Sequence, residues 1–483
     1  MHDAWPKDLA WALPEGGAAP LDNFSLASTR VPGLRAWLAT LPPEDPTLSA
    51  ARLLRLLDEL TRLRIDTRRR LALLEEVRPW VCRLLPVLQS HYLDAPLSLP
   101  QAARRSAEQV QDLFETLARG YQQVAAALLA STPGPARRQA AATAVQRALD
   151  ALGQRLWQYW LLYSLAEPGL WWRLHRLYAT AEYQGLQALT VADPEAPGHE
   201  SSVHDAYARV LLVASAQPQQ LRPAALVALY RAAGHWGRWL TLDAAAADGG
   251  FQVILDQDRG PAPADHDGGP RCRHFDTRTL ARALAGDGRP GPLPSLLLAH
   301  LRTVWSVPRD RQDARRPSED RLTVVLGLNG AHACLEQPAH RHDAAPAYCL
   351  DRNEQGCGLI WPGATPDTLR VGAVLALGGV EEAAPWRVGE VRWLAREPDG
   401  VRLGVRLLPA DARPVRISHG YGDTLPTPAL LLPAAAGDTL LVPTAGFASG
   451  ARITVWDGPP RLARLGVRVD GSAEACRYRL RWD

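Results

Sequence analysis

Lysine is almost missing from this 483-residue chain: Lys7 is the only one, and every other permanently cationic side chain is arginine. That excludes a Gly-x-x-x-x-Gly-Lys phosphate loop, a Schiff-base lysine inside a folded domain and a kinase-type lysine. His-Glu-x-x-His, Gly-x-Ser-x-Gly and Cys-x-x-Cys are lacking too. The segment Gly378-Gly379-Val380-Glu381-Glu382 comes nearest to a nucleotide-cyclase signature, yet Val380 stands where a metal-binding acid is required. No catalytic residue, metal ligand or cofactor is expected. Cysteines are few, and Cys82, Cys272, Cys334, Cys349, Cys357 and Cys476 have no paired spacing, the pattern of reduced thiols. The opening Met1-His2-Asp3-Ala4-Trp5-Pro6-Lys7 has no apolar signal core, and no run of eighteen apolar residues occurs. A cytoplasmic chain without a membrane span is the expectation. Net charge is only +3, so any site for a polyanion has to be local.

What is abundant is alanine, leucine and arginine. The length suggests about three domains, and the pattern divides as a multidomain α+β chain. Residues 1–23 are rich in Pro, Gly and Ala and read as a loose arm. Residues 24–240 carry a helical period, predicting an all-α bundle or an array of helical hairpins. Leu53, Leu54, Leu56, Leu57 and Leu60 mark one buried stripe. Ser131-Thr132-Pro133-Gly134-Pro135 separates two long helices. Trp157, Tyr159, Trp160, Tyr163, Trp171, Trp172 and Tyr178 recur at helical spacing, which reads as bundle core. Residues 241–304 mix short strands and helices.

Strands dominate afterwards. The run 322–335 reads as β-rich, and further strands are predicted at 347–350, 358–361, 374–377, 388–394 and 401–408, between Gly, Pro and Asp clusters. Asp399-Gly400 marks a hairpin. An antiparallel β-barrel is expected over 305–410, with a further β unit appended over 411–483. Within it, residues 476–482 alternate charge with bulk, placing one face on a core.

Two short segments carry the chemistry. Arg311-Gln312-Asp313-Ala314-Arg315 is followed by Arg316, and Asp351-Arg352-Asn353-Glu354-Gln355-Gly356 follows thirty-five residues after Arg316. The Arg-x-x-x-Arg spacing alone says little, since Arg64/Arg68 and Arg392/Arg396 share it. Its context is informative: a polar loop before the first strand of a β domain, then an Asp-x-Asn-x-x-Gly turn, then Gly372, the strand at Trp386–Leu394 and Gly404-Val405. That order resembles the PilZ family of bacterial cyclic di-GMP receptors over about residues 304–409. The resemblance implies cyclic di-GMP as ligand, held by Arg311, Arg315, Arg316, Asp351, Asn353 and Gly356, with ligand arrival ordering the arm. The chemistry agrees. A guanidinium fork pairs bidentately with phosphate or with guanine O6 and N7, which an ammonium cannot do. Asp351 would accept from guanine N1–H and the exocyclic amine, Asn353 would present its amide, and Gly356 would supply a positive φ and close ligand approach. Two departures stand out: Asn353 replaces the usual Ser, and Pro317 lies in a rather long link from Arg315 to the strand.

The reading is a receptor whose ligand binding alters contacts with an unidentified protein partner of the helical domain. Two other functions fit the same residues: a degenerate PilZ-like scaffold that binds protein partners without nucleotide, and a nucleic-acid-binding protein using the arginine arm. Near-neutral net charge argues against nucleic acid. His340-Arg341-His342-Asp343 near Cys334, Cys349 and Cys357 matches no zinc spacing and reads as a polar hairpin tip.

Overall fold

Polar caps and prolines set the helix boundaries in the computed structural model. It describes residues 19–130, 134–193, 200–244, 250–264, 269, 271–284, 293–306, 314–339, 343–380, 385–419, 425–434, 437–472 and 474–483. The N-terminal region contains α1 (Val31–Leu38), α2 (Pro46–Arg62), α3 (Thr67–Ser90), α4 (Gln101–Leu129), α5 (Pro135–Leu161), α6 (Leu170–Tyr183), α7 (Val203–Ser215) and α8 (Pro223–Trp236). A short ladder of β1 (Thr190–Ala192) and β2 (Glu200–Ser202) precedes α7. Asp45 and Asp66 cap α2 and α3 by accepting from the backbone N–H groups of Leu48 and Arg69. Ser202 and Asp205 form a reciprocal box at α7. Pro46, Pro135 and Pro223 sit in first turns, where a missing N–H costs nothing.

The leucine stripe of α2 is where the spacing placed it: Leu53, Leu56, Leu57 and Leu60 are fully buried, against α3 and α4. Trp157 stacks on Tyr230 at 4.4 Å between centroids, inside the same core. The mixed segment comprises β3 (Phe251–Ile254), β4 (Ala262–Pro263), β5 (Cys272–Phe275), α9 (Arg278–Ala283) and α10 (Ser295–Ser306). Phe251, Leu301 and Trp305 join the helical core, so this segment packs as part of the helical unit.

The first β domain begins with β6 (Arg316–Pro317) and β7 (Arg321–Leu326). The β-rich reading of 322–335 is corrected here. The strand stops at Leu326, Gly327 adopts φ +87°, and α11 (Leu328–Glu336) follows. Its buried Leu328, Ala331 and Cys334 recur at helical spacing, a period that the strand reading missed. Next come β8 (Ala345–Arg352), β9 (Gly356–Pro362), β10 (Val374–Gly379), β11 (Arg387–Glu397) and β12 (Gly400–Leu407). The antiparallel order β8-β7-β10-β11-β12-β9 closes because β9 also pairs with β8. Thus six strands form a barrel, and β6 extends the line of β7 along β8.

The last region is more than an appended unit. Here β13 (Arg413–His419), β14 (Thr427–Leu432), β15 (Thr439–Pro443), β16 (Arg452–Trp456), β17 (Pro460–Gly471) and β18 (Ala475–Trp482) form a second closed barrel with its own core. In β18, Cys476, Tyr478 and Leu480 are buried while Arg479 and Arg481 face out, as the alternation predicts. A seam of Val325, Val374, Val388, Leu430 and Leu441 with α11 joins the two barrels.

Tyr163 is also reassigned. It does not sit in the bundle core: with φ +53° it turns into the first barrel and packs with Trp361, Val371 and Val401. Its hydroxyl donates to the Leu221 carbonyl at 2.8 Å. One end of the barrel is therefore closed by the helical domain.

Candidate ligand site at the barrel mouth

The end of the barrel away from Tyr163 is formed by the β8–β9 turn and the neighbouring ends of β7, β10, β11 and β12. Asn353 builds the turn. Its N–H donates to the Gly356 carbonyl at 2.9 Å, and its Oδ1 accepts from the N–H groups of Gln355 at 3.1 Å and Gly356 at 2.9 Å. An Asn thus does the turn-capping that a Ser hydroxyl can do. Its carbonyl is occupied, and its NH2 is the group left for a ligand.

Gly356 is needed for a reason other than the one expected. Its φ is not positive; instead a Cβ there would meet the Val405 carbonyl oxygen at 2.4 Å, so the residue lets β9 approach β12. Gly358 plays a part that sequence reasoning missed. A Cβ on it would lie 2.9 Å from Asp351 Oδ1, and its N–H donates to that oxygen at 3.1 Å. The alternation Gly356-Cys357-Gly358 was the signal available, since glycine inside a strand marks close approach.

Asp351 follows a register shift in β8 between Cys349 and Asp351. Its Oδ1 also accepts from Arg315 Nη1 at 2.6 Å, and the two side chains are 26% and 20% exposed. The Arg315 Nη2 lies 3.3 Å from where a Gly356 Cβ would be. The structure therefore brings together the Arg315 end of the first motif and the whole of the second. Arg316 lies opposite Arg352 on β6 and is exposed, while Arg352 itself pairs with Asp320 at 2.8 Å. Arg311 falls outside the described residues, as do His340, Arg341 and His342.

A cleft of about 640 Å³ opens beside the turn, within the size range of small-ligand sites. Asn353, Arg352, Asp320, Cys349 and Cys357 line it. The hydrogen bond from the Cys357 thiol lowers the pKa of Cys349, while Cys357 is pushed up by the same bond and by burial. Cys349 Sγ also donates to the Asp351 carbonyl at 3.5 Å. Among the described residues, no group of three His, Cys, Asp or Glu side chains is placed to hold a metal ion. No described helix is long and apolar enough to cross a membrane.

A helical domain plugged into a six-stranded barrel, with an arginine arm meeting an Asp-x-Asn-x-x-Gly turn, defines a PilZ-type receptor. Two family models match the chain: "Cyclic-di-GMP receptor FimW, N-terminal domain" over residues 32–247, and "Cyclic-di-GMP receptor FimW, middle PilZ domain" over residues 335–414. Together they span more than half of it, and the chain belongs to this family of PilZ-domain cyclic-di-GMP receptors. The second match contains the turn and leaves the arginine arm outside. The chain is also 26% identical to the cyclic-di-GMP receptor FimW of Pseudomonas aeruginosa, over 95% of this chain and 91% of the relative.

Proposed function

We propose that cyclic di-GMP binds at the mouth of the first barrel, held by Arg311, Arg315 and Arg316 from the arm and by Asp351, Asn353 and Gly356 from the turn. The observation that carries this reading is the Arg315–Asp351 contact at 2.6 Å. It places a guanidinium fork and a carboxylate acceptor side by side beside an open cleft. A partly exposed ion pair of this kind contributes roughly 0.2–1 kcal/mol. Charge-assisted hydrogen bonds to the ligand contribute about 1.5–3 kcal/mol each. The ligand therefore outcompetes the pair, freeing Arg315 for phosphate or guanine and Asp351 for guanine N1–H.

The signal would pass to the helical domain, since Tyr163, Arg222 and Ser98 already contact this barrel. The barrel mouth carries the ligand and the helical surface carries an as yet unidentified protein partner in the cytoplasm. This is a receptor without catalysis of its own. Equilibrium binding of labelled cyclic di-GMP to the full chain tests the reading. Saturable binding that cyclic di-GMP displaces and linear GMP does not displace is expected. No saturable binding at micromolar ligand would leave a PilZ-shaped scaffold, and displacement by generic nucleic acid with a steep salt dependence would mean a nucleic-acid surface.

A further inference from the structure

Arg387 is out of character with the arginines around it. Most described arginines of the first barrel hold a carboxylate: Arg315 with Asp351, Arg352 with Asp320, Arg402 with Glu397 and Arg406 with Glu390. Arg387 holds none among the described residues, and its Nε is buried without a hydrogen-bond partner. Other arginines with an orphaned Nε, such as Arg155 and Arg209, each reach a carboxylate through another part of the guanidinium.

Its position explains what it faces. On β11, Val388 packs outward into the seam with the second barrel, whereas Val391 points into the barrel core. Alternation therefore puts Arg387, Gly389 and Val391 on the inner face. Arg387 pairs in register with Leu377, which is itself inward. Arg387 thus lines the 640 Å³ cleft from inside, among Leu322, Leu377 and Leu407. Gly379, the next inward position on β10 after Leu377, has no side chain to fill the opening. A half-buried guanidinium whose Nε has no acceptor among the described residues costs stability. Asp320, Arg321, Arg352 and Asn353 line the same cleft, so the surroundings are part apolar and part polar and match a flat group with an apolar face and acceptors on one edge.

We propose that the mouth of the barrel takes one guanine base of the cyclic dinucleotide, with Arg387 donating its fork to guanine O6 and N7. The assignment rests on the receptor reading above and adds a base-reading residue outside both motifs. Leu322, Leu377 and Leu407 cover the base, and Arg387 reads its edge. Adenine places a donor at the O6 position, so the same fork is mismatched there. A phosphate contact would show no such preference.

Titration calorimetry on the full chain with cyclic di-GMP and cyclic di-AMP tests this, comparing the unaltered protein with Arg387→Ala, Arg387→Lys and Arg315→Ala. The expected result is that Arg387→Ala weakens cyclic di-GMP binding roughly ten- to a hundredfold and narrows its preference over cyclic di-AMP. Arg387→Lys behaves alike, because an ammonium has no fork. The melting temperature of both variants stays level or rises, since an unpartnered charge is removed or made more mobile. Unchanged cyclic di-GMP affinity in Arg387→Ala, with Arg315→Ala weakened, overturns this inference and leaves the receptor reading standing. Equal losses for both dinucleotides also overturn it, by making the contact one to phosphate. If the unaltered protein binds neither dinucleotide, the receptor reading falls and this inference falls with it.

Discussion

The Arg396 backbone N–H donates to the Tyr163 carbonyl at 2.6 Å, tying the end of α5 to the hairpin of β11 and β12. Ser164 and Arg396 continue the contact as a parallel bridge. Tyr163 holds a left-handed φ of +53°, rare for an aromatic residue, and in return its ring closes the barrel core. The helical region therefore supplies a core residue of the first barrel, and the backbone just after α5 is bonded directly to the barrel hairpin.

Tyr163→Ala should destabilise the chain by about 3–5 kcal/mol, the range for removing a large buried aromatic. Tyr163→Phe should cost only about 1 kcal/mol, for the lost hydrogen bond to Leu221. Denaturant unfolding followed by tryptophan fluorescence measures both. Equal losses in the two variants would mean that the ring is not what holds the barrel.

The glycines of β9 separate stability from binding. Gly356→Ala drives a Cβ to 2.4 Å from the Val405 carbonyl, a backbone clash that should cost about 1–3 kcal/mol. Gly358→Ala meets only the end of the Asp351 side chain, at 2.9 Å. It should leave the melting temperature nearly unchanged and weaken cyclic di-GMP binding by displacing the carboxylate. Thermal melts alongside ligand titration distinguish the two outcomes.

Much of this was legible in the sequence, and the misses have physical causes. The leucine stripe of α2 and the alternation of β18 report one partner surface each, so period alone located them. The 328–336 segment failed because it is short and apolar, and only the spacing of Leu328, Ala331 and Cys334 distinguishes helix from strand. The sequence marks 411–483 as an appended β unit but does not show that it closes, because closure depends on pairings such as β13 with β16, which are long-range and leave no local mark. Tyr163 looked like one more bundle aromatic, since nothing in its spacing records a backbone turned to positive φ. In the proposed site, the order of the motifs points to the turn and to Arg315, which the structure places in contact. Arg387 and Gly358 lie outside any motif and became visible only through their neighbours.

Acid should weaken the helical domain. Burial pushes the His175 imidazole down to about 4. It is held neutral between Tyr207, whose hydroxyl is 2.6 Å from Nδ1, and the Arg259 carbonyl, 2.8 Å from Nε2. The folded value lies below the ordinary 6.5 of the unfolded chain. The unfolded state therefore takes up the proton first, and stability is full above pH 6.5 and falls as pH drops towards 4. The loss reaches about 2 kcal/mol by pH 5. Melting temperatures at pH 7.5 and pH 5 should fall less steeply in His175→Gln than in the unaltered chain. Parallel slopes would assign the acid sensitivity elsewhere.

The central claim is that Arg315 and Asp351 grip one ligand together, and calorimetric titration of cyclic di-GMP into Arg315→Ala and Asp351→Ala tests it most directly. Each substitution should weaken binding by about 1.5–3 kcal/mol, and the double variant should lose less than the sum, because the two groups share a ligand and a contact. Unaltered affinity in both single variants would contradict the account.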